Sequence, residues 1–112
     1  MLACEAWSVV VVPFPFIDRR QQKRRPAVML SPREFQDAHG CGVLGMITDA
    51  RNPPWPSDVS LDDLTATGLS FASVFRCKLF TLDSGLILAR IGALSARDRN
   101  AVSRTLRSAI AR

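Results

Sequence analysis

Short apolar runs alternate with turns along most of this chain, and one long amphipathic stretch closes it. Trp7 to Val12 is continuous and β-branched, the pattern of a strand buried on both faces. Pro13 and Pro15 lack a ladder donor, so pairing is expected to loosen there. Ala27 to Leu30 predicts a second strand, with Pro26 tolerated as its first residue. Ser31-Pro32-Arg33-Glu34 reads as a helix start in which Ser31 caps, Pro32 fits the first turn and Glu34 reaches back. His39-Gly40 keeps that helix short. Gly42 to Thr48 predicts a third strand. Asn52-Pro53-Pro54-Trp55-Pro56 is a stiff loop. Ser60 to Leu64 opens a second short helix, which Gly68 ends. Phe71 to Cys77, Lys78 to Leu82 and Leu86 to Gly92 predict three further strands, with Asp83-Ser84-Gly85 as a tight hairpin turn.

The final element is a helix capped by Ser95, with Asp98 three residues later. Val102, Leu106, Ala109 and Ile110 fall on one face. Arg97, Arg99, Arg104 and Arg107 lie mostly elsewhere and could form a nucleic-acid-binding surface or a solvated face, the late cations also favoured by the helix dipole. Some six short strands, two helical turns and a C-terminal helix predict a mainly β fold with helices, closed as a small barrel or curled sheet. With 112 residues and no linker or repeat, one domain over 1–112 is expected.

Composition changes this picture through charge. Hydrophobic content of 47% excludes a disordered chain. Net charge is +5 and the pI is about 10.1, a balance that favours nucleic acid or another polyanion as partner. The cations are clustered: Arg19, Arg20, Lys23, Arg24 and Arg25 lie in the segment between the first two strands. No apolar run approaches the roughly 20 residues of a membrane span, and a cytoplasmic location is the default. Met1-Leu2-Ala3-Cys4 superficially resembles a lipoprotein cleavage site but has no basic and apolar regions before it. Three cysteines without C-x-x-C suit a reducing compartment and argue against a disulfide framework. Only His39 could join them at zinc, and the spacing fits no finger. No cofactor or metal is expected.

The candidate chemistry narrows by elimination. There is no Gly-rich phosphate loop, no H-E-x-x-H and no tyrosine, and a single histidine excludes a paired-histidine acid–base mechanism. Arginine, threonine, serine and carboxylates remain. Arg25 precedes a proline, which biases it toward extended backbone. Its planar fork suits phosphate oxygens, although it could also be one solvated cation in a run. Thr48 ends the third strand in M-I-T-D, where a hydroxyl can donate to a phosphate or serve as an ordinary strand residue. Asp18 and Asp49 could each be a base, a base-edge acceptor or a loop cap. Trp55 and Phe14 could stack on splayed bases or belong to a loop anchor or the core.

Taken in order, V-V-V-V-P-F-P-F-I-D, K-R-R-P-A-V-M-L-S, G-M-I-T, W-P-S-D-V, G-L-S-F-A-S-V-F-R, K-L-F-T-L-D-S-G-L-I and R-I-G-A-L-S resemble the MazF/PemK family of toxin–antitoxin ribonucleases. The similarity spans roughly residues 7 to 110. It implies an SH3-like β-barrel with a C-terminal helix, a homodimer, and a cytoplasmic, metal-independent endoribonuclease that cleaves single-stranded RNA or exposed tRNA and rRNA loops. It also implies a cognate antitoxin with an acidic, flexible segment. By position the catalytic arginine is Arg25 and the catalytic hydroxyl Thr48. RNA contacts are expected from Asp18, Arg20, Lys23, Arg24, Asp49, Trp55, Ser73 and Arg76. Two departures stand out: the family commonly has Gly-Asp where this chain has Trp7-Ser8, and some members have a glutamate where it has Arg20. Two other readings of the same barrel stay open, a CcdB-like toxin that poisons gyrase through protein contacts and a non-catalytic RNA- or protein-binding module.

Overall fold

The computed structural model describes residues 4–14 and 23–111; Asp18 and Arg20 lie outside them. Among the described residues, six antiparallel strands form one sheet: β1 (Ser8–Phe14), β2 (Lys23–Met29), β3 (Cys41–Asp49), β4 (Val59–Ser60), β5 (Ser73–Asp83) and β6 (Ala89–Ala93). Their order is β4-β5-β3-β2-β1-β6. The α-helices of the described residues decorate it: α1 (Arg33–His39), α2 (Leu64–Thr67) and α3 (Ala96–Ala109). The expected mainly β architecture with a C-terminal helix is the observed one. Register shifts between Val9 and Val10 and between Gly45 and Met46 increase local twist and curl the sheet.

Alternation along the strands sends apolar side chains to two clusters. Val10, Val12, Ala27, Met29 and Leu44 join Cys4, Leu82 and Ile87 on one side. Val9, Val28, Ile47 and Phe75 join Leu61, Leu94 and Val102 of α3 on the other. β1 is therefore buried on both faces, as its unbroken valine run predicts; Val9, Val10 and Val12 are all fully buried. Gln36 of α1 ties the chain start to the sheet by donating to the carbonyls of Cys4 and Ser31 at 2.7 and 3.0 Å.

Several expectations are corrected. Lys23 to Arg25 are not loop but strand: Val12, Pro13 and Phe14 pair with Arg25, Arg24 and Lys23, so the ladder continues past Pro13. Ser31 does not cap α1. Pro32 holds that position, and Ser31 Oγ instead accepts from the Val43 N–H at 2.8 Å. The two strands expected over 71–82 are one strand, β5, and a two-residue strand, β4, pairs with it. Ser84–Leu86 is a 3-10 turn rather than a hairpin, because β6 crosses over to pair with β1. Ala109 and Ile110 are exposed, so the apolar face of α3 ends at Leu106.

The Trp7-Ser8 departure has a structural reading. Trp7 has φ of 72°, in the left-handed region where glycine is at ease and a bulky side chain is strained. It is held there because its N–H donates to the Met29 carbonyl at 2.7 Å and its carbonyl accepts from Leu94 at 3.0 Å. Ser8 is fully buried, and its Oγ accepts from Arg90 Nε at 3.0 Å.

Candidate functional site

β2 and β3 are bonded from Met29↔Leu44 to Ala27↔Met46, and there their ladder stops. Arg25 and Thr48 each lie two residues beyond that last pair, at the same register position on neighbouring strands. Strand alternation turns both toward the face that carries Val12, Ala27 and Leu44. The Arg25 guanidinium and the Thr48 hydroxyl thus lie on the side of the sheet that carries this apolar cluster. Arg25 is exposed, and among the described residues it has no ion-pair partner. Thr48 is half-buried.

Downstream of Thr48 the chain turns sharply. The Asn52 N–H donates to the Asp49 carbonyl at 3.0 Å, and Asn52 Nδ2 donates to Thr48 Oγ1 at 2.6 Å. Asp49 is a loop cap: its Oδ1 accepts the Arg51 N–H at 2.8 Å, and its Oδ2 accepts Arg51 Nη2 at 2.7 Å. Those bonds from Arg51 lower the Asp49 carboxyl to about 2. A carboxylate so acidic is a weak proton acceptor near neutral pH.

Arg76 stands opposite Met46 on β5, on the same face as Thr48 and Arg25. Its charge is committed. Nε donates to Asp58 Oδ1 at 3.1 Å and Nη2 to Asp58 Oδ2 at 2.9 Å, while Nη2 also donates to the Pro53 carbonyl at 2.8 Å. The guanidinium carbon lies 4.9 Å from the centre of the Trp55 ring. The Arg76 bonds hold the Asp58 carboxyl below its ordinary range. Trp55 remains 42% exposed. Ser73 faces inward, 3% exposed, with its Oγ donating to the Phe71 carbonyl at 2.9 Å. Its hydroxyl is therefore occupied in this conformation.

The basic segment is divided by its own strand. Lys23 shares the Arg25 face, opposite Phe14, whereas Arg24 alternates to the other side. There Arg24 lines a cleft of about 320 Å³ with Val11, Pro26, Phe71 and Ile91, and Arg25 borders the same cleft. Sequence reasoning missed three residues that the fold brings to the Arg25 face. Asn52 and Asp58 arrive through the loop after β3. Lys78, two positions after Arg76, holds its Nζ 5.9 Å from the centre of the Phe14 ring. The i, i+2 spacing of Arg76 and Lys78 was the available signal, hidden by splitting β5 in two. The one histidine, His39, is exposed at the end of α1 with its ring 4.5 Å from Phe35.

Comparison with known proteins adds to this geometry. The family described as PemK-like, MazF-like toxin of type II toxin–antitoxin systems matches residues 5–110. No curated protein sequence matches the chain. Among solved structures, MazF from Deinococcus radiodurans is similar with a TM-score of 0.75 at 23% identity, covering 97% of each chain. A MazE–MazF structure from the same organism gives a TM-score of 0.77 at 21% identity, covering 96% of each chain. An endoribonuclease in complex with its cognate antitoxin from Mycobacterial species gives 0.74 at 15% identity, covering 97% of this chain and 94% of that one. At such identities the likeness establishes a shared fold.

Proposed function

This chain belongs to the PemK-like, MazF-like toxin family of type II toxin–antitoxin systems, and from that premise we propose that it is a metal-independent endoribonuclease acting on single-stranded RNA. The observation that carries the reading is the common register position and face of Arg25 and Thr48 beyond the Ala27↔Met46 pair. Both groups can reach one phosphodiester laid across the ends of β2 and β3.

The reaction needs no external nucleophile. The ribose 2′-oxygen bonds to the adjacent phosphorus and the P–O5′ bond breaks. The 2′-hydroxyl proton passes to solvent, and the departing O5′ takes up a proton. The products are a 2′,3′-cyclic phosphate and a 5′-hydroxyl. Negative charge grows on the phosphoryl oxygens as the new bond forms. Arg25 meets it with a planar pair of N–H donors, and Thr48 with its O–H. A guanidinium carries only donors, so Arg25 is a donor here and not a base. Asp49, acidic and gripped by Arg51, is no better suited to take the proton.

Lys23 and Lys78 extend the positive charge along the same face, and Trp55 offers an exposed ring for a base to stack on. Arg76, with its Nε and Nη2 engaged, contributes its Nη1 hydrogens to RNA. Asp18 and Arg20 complete the expected contacts from the β1–β2 segment, while Arg24, on the far side of β2, lies off this path. The chain works as a single-domain homodimer in the cytoplasm, held in check by an antitoxin whose acidic, flexible segment competes for these cations. The solved likenesses that include MazE–MazF complexes support that partner.

The test is incubation of the purified protein with single-stranded RNA in excess EDTA. Fragments ending in a cyclic phosphate and starting with a 5′-hydroxyl are expected. RNA binding with no cut ends would leave only a binding module, and gyrase poisoning with intact RNA would favour the CcdB-like reading.

A further inference from the structure

We propose that Asn52 is a positioning residue that fixes the direction of the Thr48 hydroxyl proton. The proposal rests on the role given to Thr48 above. A hydroxyl has one proton to give and two lone pairs to receive. Left alone, the Thr48 O–H rotates, and nothing in β3 itself aims its proton at a phosphate. Asn52 Nδ2 removes that freedom by donating into Thr48 Oγ1 at 2.6 Å. The bond occupies a lone pair and commits the oxygen as acceptor on that side. The proton of Thr48 is turned away from the amide, free for an acceptor on the Arg25 face.

Asn52 can do this because its own position is determined three times over. Its N–H closes the turn onto the Asp49 carbonyl at 3.0 Å. Pro53 follows it and restricts its backbone to extended conformations. The Pro53 carbonyl is then pinned by Arg76 Nη2 at 2.8 Å. Arg76 in turn is clamped by Asp58, with the two side chains only 14% and 9% exposed. The segment from Asn52 to Asp58 is thus a strap, fastened at one end by the Asp49 turn and at the other by the Arg76–Asp58 pair. Asn52 itself is exposed, so its side chain fills no core space that would explain its identity.

The experiment is a double-mutant cycle on cleavage of a defined single-stranded RNA under single-turnover conditions at saturating protein. Asn52→Ala alone is expected to slow cleavage on the order of 10²-fold, the scale of a misaimed catalytic group, with RNA affinity close to wild type. Asn52→Asp, the same size but an acceptor, is expected to slow it at least as much, because the carboxylate captures the Thr48 proton. In a Thr48→Ala background, Asn52→Ala is expected to cost nothing further. An undiminished Asn52→Ala effect in that background, or an effect confined to affinity, overturns the proposal while leaving the ribonuclease reading intact. An inactive wild-type protein, or a Thr48→Ala variant as fast as wild type, refutes the role of Thr48 and this inference with it.

Discussion

Gly45 on β3 lies directly beneath the ring of Phe75 on β5: a Cβ at position 45 would stand 2.3 Å from Phe75 Cε1 and 2.7 Å from Cζ. Phe75 is fully buried in the cluster that α3 covers. The bulged crossing of β3 and β5 therefore depends on the missing side chain. Gly45→Ala is expected to destabilise the fold by about 1–3 kcal/mol through overpacking. Urea unfolding measures it; a midpoint unchanged from wild type would show that the ring can move aside.

Arg25 and Thr48 make the sharpest functional prediction. Arg25 is exposed on its strand and supports no core packing. Arg25→Ala is therefore expected to abolish cleavage while unfolding and dimerisation stay as in wild type. Thr48→Ala is expected to slow cleavage by about 10²–10³, the usual cost of one transition-state donor. Time courses on one RNA substrate, with unfolding curves on the same samples, separate loss of chemistry from loss of fold.

Asp58 gives the fold a pH dependence. Its carboxyl is held below the ordinary range chiefly by the hydrogen bonds from Arg76. A depressed carboxyl stabilises the folded state fully above its unfolded pKa of about 3.9, and that contribution is lost as pH falls through the lower folded value. Asp58→Asn should remove this component. It is expected to lower stability at pH 7, because it removes the carboxylate charge that Arg76 is bonded to at 2.9 Å. It should also flatten the decline in stability as pH falls below about 4. Equal acid slopes for variant and wild type would assign that decline to other carboxylates.

Strand alternation separates neighbours that look equivalent in sequence. Lys23 faces the Arg25 side and Arg24 the opposite one. The log–log salt slope of RNA binding should therefore drop by about 0.7 in Lys23→Gln, one phosphate contact, and stay near wild type in Arg24→Gln. Equal drops would mean that the RNA wraps around the end of the sheet and touches both sides.

What could be seen in the sequence was local. The valine run of β1, the left-handed stops at Gly40 and Gly68, and Ser95 accepting from the Asp98 N–H at 3.2 Å are all decided within a few residues. Arg25 and Thr48 stood out there as candidates, although their alignment did not. What stayed hidden is tertiary. Lys23 to Arg25 resemble loop by composition and become strand only because Val12 to Phe14 pair with them. β4 exists only as a partner of Val74 and Phe75. Ser31 has a capping sequence around it, yet Val43 claims its hydroxyl. Asp98 looks like a first-turn acid, while its buried carboxylate accepts from the N–H groups of Asp62 and Asp63 at 3.1 and 3.3 Å. Arg76 was legible as a conspicuous cation, but its partner Asp58 lies 18 positions away.

The position of β6 beside β1 has a consequence for how the chain comes off the ribosome. Arg90 reaches Ser8 across 82 positions, and until it has been synthesised the outer edge of the first strand has nothing to pair with. The β1–β2–β3 hairpins can zip early, being local. The seam that completes the sheet requires the longest closure in the molecule, the kind that folds slowly. Arg25 and Thr48 are therefore translated well before the scaffold that steadies them, and a prematurely terminated chain carries both residues without the finished sheet behind them.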